Sequence, residues 1–384
     1  MTKSERTWYE FFAGGGMARL GLGPTWKCTF ANDICKKKAS AYREFFGPSP
    51  ELKVADIGQL TTKDLHGVPD LVWASFPCQD LSLAGNGAGL DGERSGTFRP
   101  FWKLISGMVA ERRAPKIVVL ENVTGTLTSH SGSDFKSIVS AFAESGYRVG
   151  GIVINAARFL PQSRPRLFVV GFHGQTPIPS KLALAAPAEP WHTKSLVRAY
   201  GKLPVRLTQS WVWWALPLPD RSIPTLASLI EERPSGTEWH SEAETRKLLR
   251  LMSAHHRKKI AQALLVGSRQ IGTIYKRTRP TRSGEMVQRA EVRFDGVSGC
   301  LRTPVGGSSR QTVIVVGGGH VRTRLLSTRE AARLMGVPDT YPLPSGYNDG
   351  YHLFGDGVAV PAVSWLEKYL LTPLAISRGL ERVA

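Results

Sequence analysis

Four cysteines in 384 residues, no two of them in a CxxC spacing, exclude a disulfide scaffold and a cysteine-ligated zinc site. Long hydrophobic runs are also missing. Stretches such as Ile117-Val118-Val119-Leu120 fall far short of the roughly 20 residues that cross a bilayer. No apolar leader separates Met1-Thr2-Lys3-Ser4-Glu5-Arg6 from the first strand-like run, so a soluble, reduced, cytoplasmic protein without a membrane partner is expected. Carboxylates are few as well: 31 Asp and Glu face 50 Lys and Arg, a formal charge of +19. With 42% hydrophobic and 21% charged residues the chain is still ordinary globular material, long enough for two domains or for one with a large insertion. The surplus of positive charge needs a partner, and a polyanion is the first candidate.

That surplus is uneven. Residues 173–323 hold 23 Lys and Arg against 10 Asp and Glu, whereas the other 233 residues hold 27 against 21. The same stretch has five of the ten tryptophans, Trp191, Trp211, Trp213, Trp214 and Trp239. A middle segment with its own task is implied. Before it, apolar runs alternate with helical patterns as in a parallel α/β sheet. Strands are expected over 7–12, 26–31, 71–75, 117–120, 151–155 and 167–171, and helices over 17–22, 35–46, 97–111 and 135–144. After residue 173 the pattern breaks into segments punctuated by Pro, Gly and Ser. Helical periodicity returns at 327–335, where Ser327-Thr328-Arg329-Glu330 reads as a capping box, and a last helix is expected after Pro361.

A strand running into Ala13-Gly14-Gly15-Gly16 and then a helix brings backbone N–H groups close to a ligand. A dinucleotide fingerprint needs glycine three residues after Gly16, where this chain has Arg19, so another nucleoside ligand is favoured over nicotinamide. Asp33 suits ribose hydroxyls, and Asp56 an adenine amino group. Pro77-Cys78-Gln79 follows an apolar strand, at the edge where α/β enzymes keep their chemistry; alone, such a cysteine reads first as an inert core residue. Glu121-Asn122-Val123 closes the next apolar strand, and Gln162-Ser163-Arg164-Pro165-Arg166 precedes another. Together they line a thiol, a carboxyl and two guanidinium groups along one sheet edge.

These motifs, continued by the run from Arg324-x-Leu326-Ser327 through Arg329-Glu330 to Met335-Gly336 and by Gly355-Asp356-Gly357-Val358, stand in the order of those of the DNA cytosine-5 methyltransferases. The chain resembles that family over nearly its whole length except the middle segment. The resemblance implies an α/β, Rossmann-like S-adenosylmethionine-dependent methyltransferase sheet over 1–173 and 324–384. A smaller, irregular target-recognition domain over 174–323 would be inserted before the last motifs. It implies Cys78 as the nucleophile on C6 of a flipped cytosine, Glu121 near N3, Arg164 and Arg166 holding the base or supporting Glu121, and Pro77 and Asn122 fixing the base and the loop. S-adenosylmethionine would meet Phe12, Gly14, Gly16, Asp33, Ile34, Asp56, Ile57, Phe98, Gly357 and Val358.

By the same resemblance, the glycine-rich loop ending at Gly96 closes over the base, with Ser82 and Arg94 on the target phosphates. Base-reading loops are expected around 277–282 and 302–310, with Arg277, Arg279, Arg282, Arg302, Ser308 and Arg310 as DNA contacts. Trp211-Val212-Trp213-Trp214 reads as core, the run His255-His256-Arg257-Lys258-Lys259 as a solvated or phosphate-facing helix, and Cys28, Cys35 and Cys300 as structural. No metal site is expected. Arg329 and Glu330 are expected to form an ion pair. Double-stranded DNA is the implied substrate, with a separate cognate restriction endonuclease as a partner for a monomeric, nucleoid-associated bacterial enzyme. Two departures from the family pattern are Asp356, where Asn is usual, and Met335 in place of a frequent Gln. The alternatives are an RNA cytosine-5 methyltransferase, a silent DNA-binding relative, which the presence of Cys78, Glu121 and Arg166 disfavours, and a nicotinamide-dependent oxidoreductase, which Arg19 disfavours.

Overall fold

The computed structural model describes residues 5–77, 95–219, 222–280, 283–303 and 310–377; Cys78, Ser82, Arg94, Arg282 and Ser308 lie outside them. Contacts divide the chain into two compact units, one of residues 1–155, 165–219 and 362–384, the other of 156–164 and 220–361. Against the expected 174–323 segment, residues 174–219 fall in the first unit and 324–361 in the second. No helix among the described residues is long and apolar enough to cross a membrane.

The first unit is built on seven strands: β1 (Arg6–Phe11), β2 (Trp26–Asp33), β3 (Leu52–Val54), β4 (Leu71–Ala74), β5 (Ile117–Val123), β6 (Tyr147–Asn155) and β7 (Pro165–His173). Their order is β3-β2-β1-β4-β5-β7-β6. Strands such as β4 and β5 read as unbroken apolar runs because both faces of the sheet are covered. Helices α3 (Phe98–Ala110) and α4 (Ser133–Glu144) bury Phe101, Ile105, Met108, Phe135, Ile138 and Phe142 in one cluster with Tyr9, Phe11, Val118 and Leu120. Helices α1 (Met17–Leu22) and α2 (Lys36–Phe46) belong to the glycine-loop end, and Ala39 and Tyr42 of α2 pack with Ala31 and Leu52. Trp213 and Trp214, expected as core, are buried in a two-residue strand, β9, paired with β8 (Ala183–Leu184). Short helices α5 (Lys194–Tyr200) and α6 (Val205–Thr208) precede it.

One expectation changes here. The sheet is not wholly parallel, because β7 runs antiparallel to both β5 and β6. The link over 156–164 is shorter than the dozen or so residues that a parallel crossover requires, so the chain turns straight back.

The second unit carries a four-stranded antiparallel sheet, β11-β10-β12-β13, from β10 (Gln270–Pro280), β11 (Met286–Arg293), β12 (Thr312–Gly317) and β13 (His320–Leu325). Helices α7 (Leu226–Leu229), α8 (Glu242–Arg250) and α9 (Ala254–Leu265) precede it. Leu248, Ile260 and Ala263 pack on Ile274, Ala290, Val292, Ile314 and Val316, which covers one face of the sheet. The expected reading loop that starts at 277 is therefore the end of a strand, with Arg277, Thr278, Gln288 and Arg289 exposed. Helices α10 (Thr328–Leu334) and α11 (Tyr347–Asp356) follow in this unit, whereas α12 (Val360–Leu366) from residue 362 onward and α13 (Thr372–Ile376) belong to the first.

The capping box at α10 forms as expected: Glu330 N donates to Ser327 Oγ at 3.1 Å, and Ser327 N to Glu330 Oε2 at 2.8 Å. The expected Arg329–Glu330 pair does not form. Adjacent helical residues point apart, and Arg329 donates to the Tyr341 carbonyl at 2.9 Å. Glu330 instead takes a two-pronged bond from Arg324, at 2.7 and 2.5 Å, with both side chains fully buried. Glu330→Gln should leave that guanidinium buried without its counter-charge and lower stability by about 3–5 kcal/mol, whereas Arg324→Met with Glu330→Leu should recover most of the loss. Urea unfolding checks this; a loss below about 1 kcal/mol in the single variant would count against the argument.

Candidate active site

Strand β1 ends in a turn with three left-handed residues, two of them glycines. Phe12, Gly14 and Gly16 have φ of 58°, 56° and 76°. A Cβ on Gly16 would run into the Phe46 ring and come within 2.9 Å of Tyr42, whereas the space beside Gly14 is open. Both oxygens of Asp33 tie the turn: Gly14 N donates to one at 2.8 Å and Cys35 N to the other at 2.7 Å. Beside them Ile34 is 65% exposed, an isoleucine with nothing covering most of its surface. Asp56 is exposed and accepts from Gly58 N at 2.7 Å, while Ile57 and Phe98 are buried in the core.

Within the same unit, β1 carries a carboxyl that sequence reasoning passed over. Its signal was a single acidic residue inside the run Trp8-Tyr9-Glu10-Phe11. Glu10 is buried, with the Tyr42 hydroxyl 3.4 Å from Oε2. Arg19 donates to Tyr42 at 2.9 Å and to Glu51 at 2.5 Å, and lies 4.3 Å over the Phe46 ring. Burial pushes the Glu10 carboxyl up to about 8, against the opposing pull of Arg19 and Tyr42. Burial likewise drives the Cys28 thiol up, which makes it a poor source of thiolate and agrees with a structural role.

At the sheet edge, β5 and β7 lie in register with Val123 opposite Arg166 and Glu121 opposite Phe168. Arg166 Nε is 3.2 Å from Glu121 Oε1, both side chains being mostly buried. Asn122 donates from Nδ2 to the Phe76 carbonyl at 3.2 Å, while its Oδ1 accepts from Val123 N at 2.8 Å. The backbone leading into Pro77, an exposed residue, is thus tied to the strand that carries Glu121.

The remaining predicted residues belong to the second unit. Arg164, buried, donates to the carbonyls of Leu301 at 2.7 Å, Gly355 at 2.8 Å and Gly357 at 2.6 Å. Gln162 donates to the Leu334 carbonyl at 2.6 Å and sits 3.3 Å from Met335 Sδ. Val358 is buried, and Asp356 accepts from the Thr303 hydroxyl. Arg277 is paired with Glu291 at 3.4 Å, Arg302 is exposed, and Arg310 donates to Asn348 with its guanidinium 5.6 Å from the Tyr347 ring. The backbone at Arg279 lies in β10.

Comparison with known proteins adds four findings. Residues 7–371 match the family model of the C-5 cytosine-specific DNA methylases. The chain is 26% identical over 393 residues to the type II methyltransferase M.HpaII of Haemophilus parainfluenzae, covering 96% of this chain and 90% of that protein. It is 26% identical over 364 residues to M.HhaI of Haemophilus parahaemolyticus, covering 93% and 91%. In fold it is similar to the Dnmt2 methyltransferase of S. pombe, with a TM-score of 0.59 at 17% identity over 96% of this chain and 99% of that one.

The uncharged carboxyl in β1 has a measurable consequence. An unfolded chain releases the Glu10 proton near its ordinary value of 4.5, and the folded one near 8. Between those values the folded state binds more proton, so this residue's contribution to stability is complete below about pH 4.5 and falls as pH rises toward 8. Glu10→Gln should flatten that slope and gain on the wild type at alkaline pH. Parallel slopes from thermal unfolding at pH 5 to 9 would contradict the assignment.

Proposed function

The chain belongs to the C-5 cytosine-specific DNA methylase family, whose activity is methyl transfer to cytosine, and on that premise we propose that it methylates C5 of a cytosine turned out of double-stranded DNA, with S-adenosylmethionine as donor. The observation that carries the reading is the Asn122 bond to the Phe76 carbonyl beside the Glu121–Arg166 pair, which supports a site assembled from the β4 exit, β5 and β7.

The first unit fits the donor. The left-handed glycine turn leaves open space beside Gly14, Asp33 stands at the end of β2 for ribose hydroxyls, Ile34 presents an uncovered apolar surface for a base, and Asp56 is exposed. Ile57 and Phe98 would form the wall behind it. When bound, this group supplies an electrophilic methyl.

The chain's own residues do the rest. C5 of cytosine is a poor nucleophile, so the Cys78 thiolate adds to C6, and the displaced π electrons make C5 reactive. Glu121 hydrogen-bonds at N3, where charge develops, and Arg166 holds Glu121 and the base. Once C5 carries the methyl, its proton is lost, the electron pair restores the C5–C6 double bond, and the thiolate leaves. The atom attacked is out of reach inside a duplex, so the base must be flipped. Pro77 and Asn122 fix the backbone that leads to the thiol. The main-chain acceptors of Arg164 support a positioning role for it. Ser82 and Arg94 are assigned to phosphates flanking the target, and Arg277, Arg279, Arg282, Arg302, Ser308 and Arg310 of the second unit to holding and reading the duplex. The likeness to type II methyltransferases supports a modification enzyme with a separate restriction endonuclease as its counterpart.

Duplexes containing 5-fluorocytosine test the nucleophile. The wild type with the methyl donor should form a covalent complex that survives denaturing electrophoresis, and Cys78→Ala should form none. Equal trapping by both would remove Cys78 from its role. In the same assay Glu121→Gln should lower kcat by about 100-fold or more. Methyl transfer to tRNA but not to DNA would overturn the choice of substrate.

A further inference from the structure

Arg322, on β13, is exposed, and its guanidinium lies 4.2 Å from the centroid of the Trp239 ring. Among the described residues it makes no hydrogen bond and no ion pair. The neighbouring Arg324 also lies over that ring, at 5.1 Å, but its charge is answered by buried Glu330. Among the described residues no carboxylate pairs with the Arg322 charge. The ring beneath it is well anchored: Trp239 bridges to Arg324, His240 N donates to the Thr323 carbonyl at 2.9 Å, and the Thr323 hydroxyl meets His240 Nδ1 at 2.9 Å and Thr245 Oγ1 at 3.0 Å. A guanidinium seated over an aromatic ring keeps its N–H donors available to a ligand and has less rotamer freedom left to lose on binding.

We propose that Arg322, seated on Trp239, is a preorganised contact to the phosphodiester backbone of the DNA duplex. It is a position that neither the ordered motifs nor the basic runs of the sequence singled out. The inference rests on the reading of the substrate as DNA. An exposed guanidinium without an ion-pair partner among the described residues, seated on a ring in a basic unit, has the chemistry of a phosphate clamp, since a phosphate oxygen pair matches the fork. It contributes to affinity without choosing among bases, because phosphates carry no sequence.

The test is the salt dependence of binding to a duplex that contains the methylated site and to one that lacks it. Arg322→Ala should weaken both equally, by about tenfold near 0.1 M salt, and reduce the slope of log K against log salt by about 0.9. It should leave kcat at saturating DNA unchanged. Arg322→Lys should keep the wild-type slope while binding less tightly than the wild type, because the charge remains and the planar fork is lost. An unchanged slope in Arg322→Ala overturns the proposal, as does a loss confined to one of the two duplexes, which would make Arg322 a base reader. Failure of the wild type to bind any duplex is a separate outcome and would overturn the DNA reading itself.

Discussion

The β4–β5 ladder ends at Ala74 opposite Leu120, and two residues further on the link is carried by a side chain, the amide of Asn122. That amide is buried, so water cannot replace a bond it loses, and each of its partners is fixed with it. One partner is the carbonyl of Phe76, which sets where the chain leaves the sheet toward Pro77. Another is the N–H of Val123, which sets the end of β5. Glu121 sits one residue before this knot and is steadied from β7 by Arg166. The proposed chemistry needs a thiol, a carboxyl and a guanidinium in constant relation. In the first unit the relation of the last two is set by strand register, and the Asn122 tie fixes the backbone that leads into Pro77.

How much of this could be read beforehand depended on which physical signal each element leaves. Strands β1, β2, β4, β5, β6 and β7 announce themselves as apolar runs because both faces of their sheet are covered. Strand β3, only Leu52–Val54, is too short to show any period. The reversal of β7 left no trace in hydrophobicity, which is blind to direction; only the brevity of the 156–164 link encoded it. The hairpin of β10 and β11 was taken for a loop because its far end is exposed on both sides, so no apolar alternation marks it. Glu121, Asn122 and Arg166 were legible as motifs, since each stands at a strand end. Glu10 and the Trp239–Arg322 stack were not, because burial in one case and a contact across 83 positions in the other are properties of the fold alone.

The run from Gln162 to Arg166 reads as one motif, yet its members serve different units. Arg166 belongs to β7 and pairs with Glu121. Gln162 and Arg164 belong to the second unit, where they hold the chain near Leu301, Leu334 and Gly355–Gly357. A guanidinium two residues away from another thus has an unrelated task, because the sheet begins between them.

Besides the Cys300 sulfur at 3.5 Å, Arg164 donates to three main-chain carbonyls, those of Leu301, Gly355 and Gly357. A carbonyl is present whatever side chain its residue bears, so substitutions at Leu301 or along the 355–357 turn leave those bonds available as long as the backbone path is kept. A lineage can therefore alter these side chains while the anchorage persists. Selection on the side chains and selection for a folded enzyme act here on different atoms of the same residues.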